Sequence, residues 1–183
     1  MFVISGPSGV GKGTVVRSAL EHRPGLVLSV SATTRPPRPG EVDGLHYRFV
    51  PPDAFDRLID AGAFLEWAEV FGARYGTPVE AVERELAAGR DVLLEVDVQG
   101  AAAVKARMPE AVLIFLRPPS EEELARRLEA RGTETGEALV RRLAEVRREL
   151  SESARFDHIV VNDEIERAVE EVLAIIDANR RND

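Results

Sequence analysis

Nine residues near the N-terminus, Gly6-Pro7-Ser8-Gly9-Val10-Gly11-Lys12-Gly13-Thr14, constrain this chain more than any other stretch. Their G-x-x-x-x-G-K spacing follows the apolar run Phe2-Val3-Ile4, which predicts a strand, and precedes Thr14 to His22, which predicts a helix. Glycines let successive backbone N–H groups curl around phosphate oxygens, and the positive end of the following helix adds to the attraction. Lys12 then reaches the terminal phosphates as a point charge. The alternative, a chance glycine-rich turn, has to explain strand, spacing, lysine and helix together. By itself the loop says only that nucleotide phosphate binds, which spans ATPases, GTPases and kinases. The Mg²⁺-side hydroxyl that usually follows the lysine is replaced by Gly13, so Thr14 is the residue expected to meet the metal, directly or through water.

A strand–loop–helix start calls for a parallel α/β sheet, and the second half of the chain fits one. Val92 to Asp97, Val112 to Leu116 and Ile159 to Val161 are nearly continuous apolar runs, the pattern of strands buried on both faces. Val27 to Val30 predicts another short strand. Helical spacing covers Gln99 to Arg107, Ser120 to Ala130, Glu137 to Glu152 and Glu164 to Asn179, and Ser120 with Glu123 fits a capping box. Asp97, closing its apolar run, stands where a carboxylate would hold Mg²⁺ through water; the alternative is a plain strand-end acid. Ser31 to Ala88 breaks the alternation and predicts an insertion. Within it Pro36, Pro37 and Pro39 exclude a helix from the turn-rich stretch Thr33 to Val50. Pro52 to Ala61 predicts a helix, Phe64 to Phe71 a strand, and Val79 to Ala88 a helix opened by Pro78 and closed by Gly89.

Composition narrows the partners. With 183 residues the chain suits one domain bearing an inserted lobe, and 44% hydrophobic content suffices for a core. There is no cysteine, and His22, His46 and His158 lie too far apart for metal-ligand spacing. A net charge of −8 argues against nucleic acid as a partner. No apolar run approaches a membrane span and no basic leader opens the sequence, so a cytoplasmic location without membrane contact is expected. Of the 24 basic residues only Lys12 and Lys105 are lysines, which fits codon usage favouring arginine and marks Lys12 only weakly.

The stretch Ser31-Ala32-Thr33-Thr34-Arg35-Pro36-Pro37-Arg38-Pro39-Gly40-Glu41-Val42-Asp43-Gly44-Leu45-His46-Tyr47-Arg48-Phe49 strongly resembles the GMP-binding signature of guanylate kinases. The resemblance continues through Phe64-Leu65-Glu66-Trp67-Ala68, Arg74-Tyr75-Gly76-Thr77, Asp97-Val98-Gln99-Gly100, Arg131-Gly132-Thr133-Glu134 and Val160-Val161-Asn162-Asp163, in family order over nearly the whole chain. The Gly-Lys-Gly-Thr form of the loop also resembles that of monophosphate kinases such as adenylate kinases. The resemblance implies an α/β P-loop NTPase fold, a parallel sheet flanked by helices, with an inserted mixed α/β GMP-binding lobe and a helical lid. It places the core at about 1–30, 89–119 and 155–183, the lobe at about 31–88 and the lid at about 120–154.

By the same resemblance, the reaction is phosphoryl transfer from Mg-ATP to GMP, and to dGMP, in the service of guanine nucleotide supply. Gly6 to Thr14 (Gly6, Pro7, Ser8, Gly9, Val10, Gly11, Lys12, Gly13, Thr14) would hold ATP, with Asn162 near the adenine. Arg35, Arg38, Tyr47 and Tyr75 would hold the GMP phosphate, a pairing that suits arginines three apart on a proline-stiffened loop. Ser31, Glu66, Thr77 and Glu95 would read guanine. Glu66 suits the task because guanine offers two adjacent donors that one carboxylate accepts, whereas adenine has an acceptor there. Arg131 and Arg142, with Arg127 as a companion, would be lid arginines acting beside Lys12 and Arg38 in catalysis; Thr14 and Asp97 would face Mg²⁺. A monomer or a small homo-oligomer is expected. Two rival readings stay open on sequence alone: a kinase for another acceptor such as AMP or a sugar phosphate, and a scaffold module that resembles the family but binds peptides.

Overall fold

Strand β1 (Phe2–Ser5) and helix α1 (Lys12–His22) open a computed structural model that describes residues 1–70, 72–130 and 137–180, with side chains throughout except at 130 and 137–142. There follow β2 (Leu26–Leu28), β3 (Ala32–Thr33), β4 (Arg48–Phe49), α2 (Pro52–Asp60), β5 (Phe64–Val70), β6 (Ala73–Pro78) and α3 (Val79–Ala87). The second half comprises β7 (Asp91–Glu95), α4 (Val98–Arg107), β8 (Val112–Arg117), α5 (Glu121–Ala130), α6 (Glu137–Ser151), a 3₁₀ turn (Glu152–Arg155), β9 (His158–Val161) and α7 (Ile165–Arg180).

Five strands form a parallel sheet in the order β2-β7-β1-β8-β9. Its pleat sends alternate side chains to opposite faces. Phe2, Ile4, Leu93, Ile114 and Leu116 pack under Val15, Val16 and Ala19 of α1 and Val169, Val172 and Ile176 of α7. Val3, Val92, Leu94 and Leu113 pack on the other side with Val82 of α3 and Ala101 and Val104 of α4. Burial on both faces is why these strands read as unbroken apolar runs. Because β1 lies between strands that come much later in the chain, its carboxyl end opens at a switch point in strand order, where ligands of such sheets sit.

A second sheet, β4-β3-β6-β5, carries the inserted segment; β3 pairs with β4 in parallel, and β6 is antiparallel to both β3 and β5. Its small core stacks Phe55 of α2 on Phe64, ring centroids 4.5 Å apart, beside Ala32. Sequence pattern missed β3, β4 and β6. The first two are only two residues long in a turn-rich stretch, and β6 (ARYGTP) has a glycine where alternation calls for a side chain. That glycine has a packing reason: a Cβ on Gly76 would stand 2.8 Å from the Phe64 ring. The predicted strand at 27–30 is displaced to Leu26–Leu28, and α1 begins two residues earlier than periodicity suggests.

Most remaining ends match the local chemistry. Ser120 Oγ accepts from the Glu123 N–H at 3.1 Å, as a capping residue should, and Pro52 sits in the first turn of α2. The expectation that Asp97 ends a strand is corrected: β7 stops at Glu95, and Asp97 caps α4, its Oδ1 accepting from Gly100 N at 2.7 Å. Among the described residues no helix is long and apolar enough to cross a membrane.

Candidate active site

The loop after β1 turns at the carboxyl edge of the sheet. Gly6 is required there because a Cβ would lie 2.3 Å from the Leu116 carbonyl oxygen, so only a bare α-carbon lets the loop pass β8. Lys12 folds over the loop, Nζ donating to Gly6 O at 2.6 Å and to Pro7 O at 3.2 Å. Helix α1 starts from Gly11 with no side-chain cap and no acidic residue in its own first turn, so its positive end faces outward from the loop. A cavity of about 290 Å³ opens over this end, lined by Ser8, Gly11, Lys12, Thr14, Arg17 and Glu95. Anion chemistry is what such a surface supports.

The loop is braced from below. Asn162, 3% exposed, donates from Nδ2 to Val10 O at 2.7 Å, and its own carbonyl lies 3.4 Å from both terminal nitrogens of Arg127. Arg127 is fixed in turn by Glu123 at 3.0 Å. The side chain expected near adenine is therefore a buried strut of the phosphate loop.

Two carboxylates leave the end of β7 in different directions. Glu95, expected among the guanine readers, lies against the loop: a Cβ on Gly13 would stand 3.5 Å from its Oε2. Although its tip reaches solvent, protein packed around it raises its pKa, opposed by Lys12 and Arg17. Asp97 lies on the lobe side, close enough for its charge to add to that of Glu66. It also lines a larger cavity of about 600 Å³ together with Ser8, Lys12, Gln99, Val70 and Arg148. Ser8 and Lys12 thus border both cavities.

Across from the loop, one face of the second sheet gathers polar groups. Glu66 pairs with Thr77, Ala68 with Tyr75, and Thr33 with Tyr75, so Glu66, Thr77, Tyr75 and Thr33 share a face; Ser31, two residues before Thr33, precedes it on the same parity. A β-bulge between Phe64 and Glu66 makes this possible. With one extra residue, Phe64 turns towards α2 while Glu66 turns towards the cleft. Thr77, buried, donates from Oγ1 to Glu66 Oε1 at 2.5 Å, and a Cβ on Gly100 would approach Glu66 Oε2 to 3.3 Å. Removal from water pushes the Glu66 carboxyl up, Thr77 opposes that rise, and Asp97 adds to it.

Arg35, Tyr47 and Tyr75 come together further along this sheet. The guanidinium lies over the Tyr47 ring at 5.0 Å, and the two tyrosine rings meet edge to face at 5.8 Å. Burial raises the Tyr47 phenol, with Tyr75 adding and Arg35 opposing. Glu41 forms a fork with Arg35, both terminal nitrogens donating to its oxygens at 2.6 Å. Arg38 is exposed on the same loop. Arg131 lies outside the described residues, as does the side chain of Arg142. Sequence reasoning did not single out Glu41 or Arg148: a carboxylate six residues after its partner in a loop follows no period, and Arg148 is one arginine of a charge-dense helix.

Comparison with known proteins follows the same lines. A family model described as guanylate kinase matches residues 1–179. The guanylate kinase of Symbiobacterium thermophilum is 52% identical over 180 residues, covering 98% of this chain and 85% of that protein. That of Thermobifida fusca is 55% identical, covering 97% and 91%. Among solved structures, guanylate kinase from Anaplasma phagocytophilum matches with a TM-score of 0.77 at 37% identity, covering 97% of this chain and 84% of that one. Shikimate kinase from Bacteroides thetaiotaomicron, at 14% identity and a TM-score of 0.52, shares the fold alone.

Proposed function

The chain belongs to the guanylate kinase family, whose enzymes convert ATP and GMP to ADP and GDP, and from that premise we propose how its own residues divide the work. Gly6 to Thr14 take the ATP phosphates, with Lys12 between donor and acceptor. In support, Lys12 lines both the loop cavity and the larger one towards the lobe. Asn162 serves ATP through the loop it braces. Arg35, Arg38, Tyr47 and Tyr75 hold the GMP phosphate; the Arg35 cation over the Tyr47 ring, with Tyr75 edge-on to that ring, supports this. The lobe at about 31–88 and the lid at about 120–154 are the parts that move against the core at about 1–30, 89–119 and 155–183, and Arg131 and Arg142 act from the lid.

Guanine recognition centres on Glu66, and the single observation that carries it is a carboxylate fixed by Thr77 on the sheet face opposite the phosphate loop. An ionised carboxylate accepts from guanine N1–H and the 2-amino group together, and adenine, with a lone pair at N1, is turned away. A polar site of this kind rejects the wrong base by about 10⁴-fold or more. Ser31 and Thr77 share the face. The surroundings of the two acids at the end of β7 favour an exchange of roles: Asp97 beside Glu66 on the base, and Glu95 with Thr14 on the metal side.

Mg²⁺ fits these residues, since Thr14 and Glu95 line one polar cavity with Lys12, and Mg²⁺ characteristically takes one or two protein oxygens plus phosphates and water. When bound it would neutralise charge on the β- and γ-phosphates. The chain's own part is alignment. A phosphate oxygen of GMP attacks the γ-phosphorus of ATP; a new P–O bond forms as the bond to the bridging oxygen breaks, and ADP leaves. Monoester phosphates lose their second proton near a pKa of about 6, so no general base is needed. Lys12 and the arginines offset the charge on the moving phosphoryl group, and closure of lobe and lid excludes water that would otherwise hydrolyse ATP.

We read dGMP as a second acceptor, the setting as cytoplasmic, and the assembly as a monomer or small homo-oligomer. A coupled assay of ADP formation from Mg-ATP with GMP, dGMP, AMP, UMP or no acceptor tests the reading. Activity confined to GMP and dGMP is expected; equal rates with every acceptor would remove Glu66 as base reader.

A further inference from the structure

Arg35 has five N–H donors in a planar fork, and their partners can be followed one by one. Nη1 donates to Glu41 Oε2 at 2.6 Å and to Pro36 O at 3.0 Å. Nη2 donates to Glu41 Oε1 at 2.6 Å. Two N–H groups remain, the second on Nη2 and the one on Nε, and in a guanidinium these point the same way along one edge. Nε is buried with no hydrogen-bond partner, a costly state for a charged donor unless an anion is meant to meet it. The Tyr75 hydroxyl lies within hydrogen-bonding reach of the guanidinium and favours the cation, and the Tyr47 and Phe49 rings, side by side, lie 5.0 and 5.6 Å from it.

We propose that Glu41 is a positioning residue for the GMP phosphate: by taking the end of the Arg35 fork it leaves the parallel Nε–H and Nη2–H edge as the face offered to the acceptor. This rests on the reading of Arg35 as a phosphate ligand. A third donor locks the carboxylate, since Arg38 N–H donates to Glu41 Oε2 at 2.7 Å, which ties the loop carrying Arg38 to the same centre. The Arg35 fork, helped by that N–H, holds the Glu41 carboxyl down at about 2, so the pair stays ionised at any pH used for assay. The opposite role, a carboxylate competing with phosphate for Arg35, predicts the opposite sign.

Equilibrium binding of GMP and of guanosine, which lacks the phosphate, to wild type and to Glu41→Gln separates the cases. Losing one anchor should weaken GMP about tenfold, leave guanosine unchanged, and raise KM for GMP with little effect on kcat or on KM for ATP. Unchanged or tighter GMP binding in Glu41→Gln overturns the proposal, as does equal weakening of GMP and guanosine, which would mark a purely structural role. Arg35→Lys, measured alongside, should weaken GMP by at least about tenfold. If it does not, Arg35 is no phosphate ligand and the proposal falls at its foundation, a result distinct from failure of Glu41 alone. Should Glu41→Gln not fold, Glu41→Asp keeps the charge but is too short to reach all three donors, and the same split between GMP and guanosine is expected.

Discussion

At the scale of single residues the site divides charge between fixed positions. Lys12→Ala should lower kcat by about 10³-fold, because it deletes the cation shared by donor and acceptor cavities, while circular dichroism and GMP binding stay near wild type. Glu66→Gln retains the acceptor for Thr77 but turns one guanine-facing oxygen into a donor. The preference for GMP over AMP in kcat/KM should fall by about 1.5–3 kcal/mol. Unaltered selectivity would reassign base reading. Lys12 could be singled out from the spacing of its loop, and Arg35 and Glu66 from the resemblance of their stretches to the guanylate kinase signature. The surroundings of Glu95 and Asp97 could not be read that way. Along a strand two residues apart share a face, but the chain leaves the sheet at Val96 and the cap of α4 turns Asp97 elsewhere. Asn162 was placed by motif, yet nothing in its neighbours in sequence signals a buried bond to Val10.

Elements differ in how openly they declare themselves. The buried strands of the parallel sheet and helices with a start residue, such as Pro52 or Ser120, follow from pattern alone. In the inserted lobe, pairing rather than propensity makes the strands: β3 exists because it lies between β6 and β4, and β4 because it lies beside β3. Gly76 shows what holds them. Gly76→Ala should drive a methyl group into the Phe64 ring and destabilise the protein by about 1–3 kcal/mol, seen as a lower urea midpoint. A midpoint equal to wild type would show that the ring has room to move.

For the whole molecule the question is how lobe and core are joined. Arg107, in the last turn of α4, reaches across to bond the carbonyls of Phe64 and of Gly62, the latter at 3.1 Å. Arg107→Ala removes charge-assisted bonds to two backbone acceptors at the root of β5, so a loss of about 1.5–3 kcal/mol in stability is expected. KM for GMP should rise and KM for ATP should not, because the phosphate loop is anchored separately; steady-state kinetics with each substrate varied would show it. The bulge at Leu65 lies at this same root. Since parity along a strand has only two values, removing one codon there would restore regular pairing and interchange inside and outside for every residue upstream or downstream of it. Phe64 would face the nucleotide, or Glu66 the lobe's interior, with each amino acid still present. The strand therefore carries a spatial reading frame: it tolerates many changes of letter better than the loss of a single one.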